Sequence, residues 1–537
     1  MTYYGNQKAV YWYANDEWRM RPNLTLNFGL RYEWTGVPLS ETQWQPLNAI
    51  SNLPGLITFG APTSQKTNFL PRIGFNYSPG ESGTTSIRGG FGMAVDVLYD
   101  NLGILSAPPQ VQQTCDVGSP SATCFYSNTA FMASGGLPFQ AVIPPNSPVF
   151  TDPATARGAT SGYIPNQQLP YSESWNLGVQ HMFAQKYTLS VTYVGTKGIH
   201  LPAQDRINRT SPVSPNSYLP TYLTAPSQAT LNSLPLTLDA LQANNSSYLP
   251  SYYANGFTSN ITAFMPYGAS NYNGLQTQLD RNFTNGLQFR AAWTWSHAFD
   301  NSTADVFSTY LTPRRPQDFQ CLACDWSTSA LDRRHRVTLE LMYDLPFFKN
   351  DNWFKKNVLG NWQLTPVYTF QSPEYATVNS QTDSNLNHDS AGDRAIYNPT
   401  GVPGTGSDVT PLMNSAGAVV GYLATNPTAQ YIVTGPGGLA TTARNTLALP
   451  HINNFDFSLL KRLNITERQS VEFQAQFLNL FNHPQYLPGY ISDVAPLGYT
   501  GGNVLNMLTP SQPSFDQPSQ VFSNHPRQMV LVLKYIF

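Results

Sequence analysis

Apolar and polar residues alternate with a period of two along most of the chain, the mark of strands with two unlike faces. Over 24–34, Leu24, Leu26, Phe28, Leu30, Tyr32 and Trp34 fall on one face and Thr25, Asn27, Gly29, Arg31 and Glu33 on the other. A helix would scatter both sets around its circumference, whereas a strand separates them. Trp175, Leu177, Val179, His181 and Phe183 separate in the same way from Ser174, Asn176, Gly178 and Gln180. So do Leu287, Phe289, Ala291, Trp293 and Trp295 from Gln288, Arg290, Ala292, Thr294 and Ser296. Val471, Phe473, Ala475, Phe477 and Phe481 share a face broken by Asn479. About thirteen segments read as strands: near 10–18, 24–34, 70–77, 86–96, 173–183, 187–195, 272–283, 287–299, 335–345, 361–371, 453–463, 470–482 and 527–537.

Short and long connections take turns. Met20-Arg21-Pro22-Asn23, Ala184-Gln185-Lys186, Thr284-Asn285-Gly286 and Ile465-Thr466-Glu467-Arg468 are short, while 35–69, 97–172, 196–271, 300–334, 372–452 and 483–526 are long. An up-and-down meander with every long loop at one end predicts an outer-membrane barrel, with short periplasmic turns and long surface loops. Charge on the lipid face is costly there, about 2–4 kcal/mol for Arg or Lys at the midplane. Arg31, Arg72, Arg88, Arg290 and Glu340 are therefore expected in the lumen. Lys461 falls on an apolar face near a periplasmic strand end, where it can snorkel. The chain closes on Leu533, Tyr535 and Phe537 at alternate positions, which resembles the signal that outer-membrane proteins present to the barrel-assembly machinery.

Composition narrows the choice. Only 11% of the 537 residues are charged, 13% are aromatic, and the net charge is −2. Low charge with many aromatics opposes intrinsic disorder, and the lack of a basic surplus removes the electrostatic case for nucleic acid. No apolar run approaches the ~20 residues of a membrane helix. The opening residues Met1 to Lys8 lack the apolar core of a secretion signal. With a strand following almost at once, the expectation is a chain whose true N-terminus is missing.

The order of short motifs carries a family resemblance. Asn15-Asp16-Glu17-Trp18-Arg19 with Leu30-Arg31-Tyr32-Glu33, then Pro71-Arg72-Ile73-Gly74-Phe75 and Ile87-Arg88-Gly89-Gly90-Phe91-Gly92, open the series. Trp175-Asn176-Leu177, Tyr193-Val194-Gly195-Thr196-Lys197-Gly198, Tyr272-Asn273-Gly274-Leu275-Gln276 and Trp295-Ser296-His297-Ala298 follow. Asp332-Arg333-Arg334-His335-Arg336, and Asn454-Phe455-Asp456 through Phe481-Asn482-His483-Pro484, complete it. Together they resemble the barrel of an Oar-like TonB-dependent transporter of the acidobacterial type. The resemblance implies a roughly 22-strand barrel with a plug, seated in the cell outer membrane of a Gram-negative bacterium. It also implies a carboxypeptidase-regulatory-like domain and a TonB box, neither of which is visible here. The expected fold is thus all-β: about thirteen strands of that antiparallel up-and-down transmembrane barrel, filling 1–537 as one partial barrel domain.

Candidate sites are few. Asp332-Arg333-Arg334-His335-Arg336 is the densest charge cluster and reads as an Arg–Asp network at the membrane rim, with an anion patch at the pore mouth as the alternative. Asp383, Asn385, Asn387 and Asp389, with Asp393 beyond, space oxygen donors as calcium loops do. His388 stands where an EF-hand has glycine, and a solvated Asn/Asp turn is the competing reading. Cys115 with Cys124, and Cys321 with Cys324, are expected as local disulfides of an oxidising compartment. A zinc Cys₄ set is opposed by the spacing of the first pair. No His-Glu-x-x-His, Gly-x-Ser-x-Gly or P-loop occurs, so no enzyme and no cofactor is expected, calcium in a surface loop aside.

The expected function is ligand capture and uptake by an outer-membrane TonB-dependent receptor/transporter barrel, truncated and not transport-competent alone. Its expected partners are outer-membrane lipid, the barrel-assembly machinery, and the TonB complex through a missing N-terminal part. The ligand is an unknown small molecule. The Tyr- and Asn-rich stretch from Tyr248 to Asn260 suits carbohydrate or peptide. A non-transporting adhesin or structural surface protein is the first alternative, and a secreted β-sandwich carbohydrate-binding protein the second.

Overall fold

Cross-strand register converts the alternation into two continuous surfaces. The computed structural model describes residues 6–37, 50–59, 64–80, 82–97, 152–160, 162–163, 168–303, 311–486, 504–522 and 524–537. Thirteen strands lie side by side in chain order. They are β1 (Ala9–Arg21), β2 (Leu24–Thr35), β3 (Phe69–Tyr77), β4 (Thr85–Val95), β5 (Tyr171–Phe183), β6 (Tyr187–Arg206) and β7 (Thr262–Thr284). Then come β8 (Leu287–Asp300), β9 (His335–Asp344), β10 (Trp362–Gln371), β11 (Ile452–Asn464), β12 (Ser470–Leu478) and β13 (Gln528–Ile536). Every neighbouring pair is antiparallel.

Across β2 to β6 one register row reads Phe28, Ile73, Phe91, Trp175, Gly195. Across β6 to β11 another reads Thr188, Asp280, Arg290, Glu340, Val367, Asp456. The first row belongs to an apolar outer surface on which Ile73, Leu177 and Leu531 are more than half exposed. In water that would be a large unburied patch. Against hydrocarbon it is the matching surface. The second row belongs to the inner wall, where Arg290 Nε lies 2.8 Å from Asp280 Oδ1. Arg31 and Arg72 share the inner face with Tyr11, Tyr13 and Asn15 around one groove. Trp12, Tyr32 and Phe69 cluster at the long-loop rim of the outer face, with ring centroids 5.0–6.4 Å apart.

Several outer-face charges qualify the pattern, with Glu173 opposite Lys197 at the loop end among them. Lys461 donates to the Gly360 carbonyl and sits 5.0 Å over the Trp362 ring at the short-turn end. Arg281, not singled out from the sequence, also lies beside a short turn. It donates to the Thr284 carbonyl (3.0 Å) and to that of Leu287, under the Tyr187 ring. Asp16, opposite Phe28, was missed too.

Strand ends differ from the periodic segments in three places. β6 and β7 run on together to Arg206 and Thr262, well beyond 195 and 272. Register shifts at Gly198/Leu201 and Leu201/Ala203 break the alternation there, so the sequence reads as loop. β12 stops at Leu478 rather than 482. Asn479 adopts φ 53° and its N–H donates to Asp456 Oδ1 (2.8 Å), which turns Phe481 out of the ladder. The connection from Asp344 to Trp362 is long for its end of the sheet and folds around a helical turn, Lys355–Leu359.

β1 pairs only with β2, and β13 only with β12, among the described residues. Thirteen alternating strands make both edges run the same way, from the long-loop end to the short-turn end. Joining β1 to β13 directly would therefore be parallel pairing. Closure by alternating strands takes an odd number of further strands.

Large rings lie over glycines in the sheet. A Cβ on Gly195 would stand 2.3 Å from the Trp175 indole. Gly195→Val is expected to displace that ring at a cost of about 1–3 kcal/mol. The check is a lower temperature for loss of the heat-modifiable band in gel electrophoresis, with Gly195→Ala shifting it less.

Candidate functional site

The sheet itself buries little, and the hydrophobic core sits in the long loops. Segments 311–334, 372–451 and 504–522 contribute Leu311, Val378, Tyr431, Leu449, Met507, Leu508 and Phe515 to one buried cluster. Segment 207–261 joins 372–451 through Val213, Leu219, Leu241, Leu386 and Tyr422. It also meets 50–59 through Phe257, Ile261, Ile57 and Phe59. Thr221 and Tyr222 pair in parallel with Tyr422 and Leu423. The loops therefore form one interlocked body at the long-loop end of the sheet.

Buried ion pairs tie this body together. Arg444 is fully buried and pairs with Asp300 at the end of β8. Its remaining N–H groups donate to the Asp300 carbonyl (2.7 Å), the Asp325 carbonyl (3.1 Å) and Thr312 Oγ1 (3.2 Å). Arg394 pairs with Asp325 and donates to the Thr442 carbonyl (3.3 Å). Arg315 takes both oxygens of Asp389, at 2.7 Å for Oδ1, and donates to Gln204 Oε1 (2.8 Å). Sequence reasoning missed these arginines. Their partners lie 144, 69 and 74 residues away. A local signal exists only at Arg444, a lone Arg in charge-poor, Thr-rich sequence; Arg315 and Arg394 stand beside other charges, Arg314 and Asp393.

The cluster from Asp332 to Arg336 forms a rim network. Asp332 Oδ1 accepts the Ala298 N–H (2.7 Å), and Arg334 reaches its other oxygen at 3.6 Å. Arg333 pairs with Glu374 across to the next loop. His335 stacks on Trp293, with centroids 6.1 Å apart.

The five proposed calcium donors lie in one turn but face different partners. Asp383 accepts the N–H groups of Asn387 (3.0 Å) and His388 (2.9 Å). Asn385 Oδ1 accepts the Asn387 N–H (3.1 Å), and Asn387 Oδ1 the Asp389 N–H (2.9 Å). Asp389 is held by Arg315. Asp393 is fully buried; Oδ2 accepts the Ser384 N–H (2.7 Å) and Oδ1 has no hydrogen-bond partner among the described residues. Among the described residues no three His, Cys, Asp or Glu side chains are grouped to hold a metal. Burial, with the charge of Asp383 added, holds the Asp393 carboxyl well above the usual range. Burial also raises Asp389, but the Arg315 hydrogen bond and charge outweigh it and leave that carboxyl low.

Cys321 and Cys324 are joined in a disulfide, Cα atoms 5.3 Å apart, beside the helical turn Leu322–Asp325. Cys115 and Cys124 lie outside the described residues. Leu533 and Tyr535 point outward from β13, and Tyr535 stacks on Phe537 at 5.8 Å.

This arrangement is that of an outer-membrane β-barrel wall with a packed loop body. A family model described as an outer membrane beta barrel domain matches residues 2–505, and the chain belongs to that family. It is an outer-membrane β-barrel protein. No curated protein matches the sequence. Among solved structures it is similar to the outer membrane transporter YddB from Escherichia coli, at 9% identity and TM-score 0.41, covering 99% of this chain and 45% of that one. It is also similar to the siderophore receptor PiuA from Acinetobacter baumannii, at 10% identity and TM-score 0.40, covering 98% and 43%. The pyoverdine receptor FpvA from Pseudomonas aeruginosa PAO1 gives 10% identity and TM-score 0.38, covering 99% and 42%. The chain spans less than half the length of each.

Removing one partner of a buried pair strands the other charge, typically at about 3–5 kcal/mol. Arg444→Met is expected to lose stability of that order in the loop body. Limited proteolysis should then cut the loops faster while the strands stay protected.

Asp393 makes a second test. Its carboxyl is raised in the folded loops, so the stability it contributes as a proton acceptor is present at low pH and lost as pH rises through the raised value. Asp389 is lowered and weakens the loops only below its ordinary range. Thermolysin resistance of the loops is therefore expected to rise several-fold from pH 8 to pH 5.5. Asp393→Asn should reduce that pH dependence, the remainder coming from Asp205, which burial raises to about 7. A calcium-dependent rise in the thermal unfolding temperature at pH 8, reversed by chelator, would instead identify a metal as the partner of Oδ1.

Proposed function

We propose that this chain is the wall and ligand-capturing loop body of an outer-membrane TonB-dependent receptor/transporter of the Oar-like type. The observation that carries the reading is the loop body: separate long loops share one core and are tied by buried Arg–Asp pairs. Loose loops would serve to keep a surface soluble. A fixed body holds side chains in place for a ligand, at lower ordering cost on binding.

In this reading Tyr248, Tyr252, Tyr253 and Asn255 offer stacking and amide hydrogen bonds to a carbohydrate or peptide. The chain is the C-terminal part of a larger barrel and does not transport alone. TonB acts through a segment outside these residues, which supplies the plug and the remaining strands. Leu533, Tyr535 and Phe537 serve as the assembly signal. The Cys321–Cys324 bond forms in the oxidising periplasm, as does one between Cys115 and Cys124.

Uptake tests the reading. Molecules that co-purify with the receptor are identified by mass spectrometry, and their accumulation is followed in cells with and without the gene. Deletion is expected to lower uptake, and a proton uncoupler to bring wild-type cells down to the deletion level. Unchanged uptake with reduced adhesion to surfaces would favour the adhesin.

A further inference from the structure

Four arginines meet where the outer end of β6 abuts two loops. Arg206 closes β6 and Arg209 follows it, while Arg314 and Arg315 come from the loop after β8. Arg206 feels the charges of the other three. Two carboxylates face them: Asp389, which touches Arg315 and lies 3.7 Å from Arg206, and Asp383, which acts on Arg209. Asp205 does not help. It is buried, and the charge acting on it is that of another carboxylate, Asp318.

The arginines are satisfied unequally. Arg315 is saturated by Asp389 and Gln204. Arg209 donates to Asn260 Oδ1 (2.5 Å) and Ser247 Oγ (3.2 Å) and lies 3.6 Å over the Tyr248 ring. Arg206 donates to the His388 carbonyl (2.5 Å), but its Nε is buried without a hydrogen-bond partner among the described residues. Arg314 is half-buried; among the described residues it has no hydrogen bond or ion pair, and the opposite charge acting on it is that of Asp389. Burial, and then the charge of Arg315, push its guanidinium down from the ordinary value. A partly desolvated surplus of positive charge is unfavourable unless it is paired.

We propose that Arg314 and Arg206 form a binding site for an oxyanion, a carboxylate or phosphate group carried by the ligand of this receptor. The guanidinium fork fits either group in a two-point contact. Arg209 and Arg315, locked by their own partners, supply fixed positive charge beside Arg314 and beside Arg206, which shares Asp389 with Arg315. Tyr248 and exposed His388, with ring centroids 6.4 Å apart, border the site. The biological role assigned here rests on the receptor reading, but the binding itself does not.

Calorimetric titration of the purified receptor in detergent, this chain together with the segment that completes its barrel, tests it, with citrate and inorganic phosphate as probes at low salt and at 0.3 M salt. At least one probe should bind, more weakly at high salt because exposed charge is screened. The tighter of the two names the group. Arg314→Gln should weaken binding at least tenfold and Arg314→Lys by less. Arg314 holds no other side chain in place, so both variants should keep the heat-modifiable band and the wild-type proteolysis pattern. No binding of either probe, or equal binding by Arg314→Gln, would overturn the site. Binding without any effect of gene deletion on uptake would keep the site and remove the transport reading.

Discussion

Backbone hydrogen bonding in lipid governs this structure. Hydrocarbon offers no partner to an N–H or C=O, and each one left open there costs several kcal/mol. A membrane wall without long apolar helices must then be a sheet in which each strand satisfies its neighbour. The described residues contain no helix long and apolar enough to cross, and thirteen strands pair in strict sequence. Strand length, the alternation of side chains and the segregation of loops to one end follow from that requirement.

One consequence is that the usual arrangement of core and surface is inverted. Strand side chains such as Leu177, Leu531 and Leu533 face outward and are exposed, because lipid replaces the core. The close-packed interior lies in the loops, around Val378, Met507 and Leu508, each almost wholly buried. That interior is small for the length of chain it orders, and Arg444, Arg394 and Arg315 lie within it. Buried pairs of this kind add little net stability, yet each is geometrically demanding. They fix which loop lies against which, a specificity that small apolar clusters alone would leave loose.

The strands were legible because a period of two is a local property. β2, β8 and β10 could be placed to within a residue or two from adjacent side chains alone. Where local order fails, legibility fails: the outer halves of β6 and β7 carry bulges, and Asn479 ends β12 through a hydrogen bond to Asp456 that spacing does not reveal. The loop body was not legible. Arg444 and Asp300 are 144 residues apart, and nothing in either neighbourhood names the other. The turn at 383–393 shows the same limit. Its donor spacing suits a metal, but three-dimensional neighbours, Arg315 above all, occupy the oxygens that the spacing offers.

The sheet edges carry the hydrogen-bond constraint one step further. β1 is thirteen residues long and exposed throughout, and β13 has large apolar side chains along its outer face. Neither strand contains proline, one of the usual defences of a free edge in water. Both run toward the short-turn end, so they cannot satisfy one another by antiparallel pairing, and two copies of this sheet would meet the same parallel seam twice. An antiparallel closed wall built on these strands needs an odd number of others, the first and last running toward the surface. Asp16 sharpens the point. It faces outward in the row of Phe28 on β1, beside an edge unpaired among the described residues, so a strand paired there would set one of its own side chains next to the outer-face carboxylate between Trp12 and Trp18.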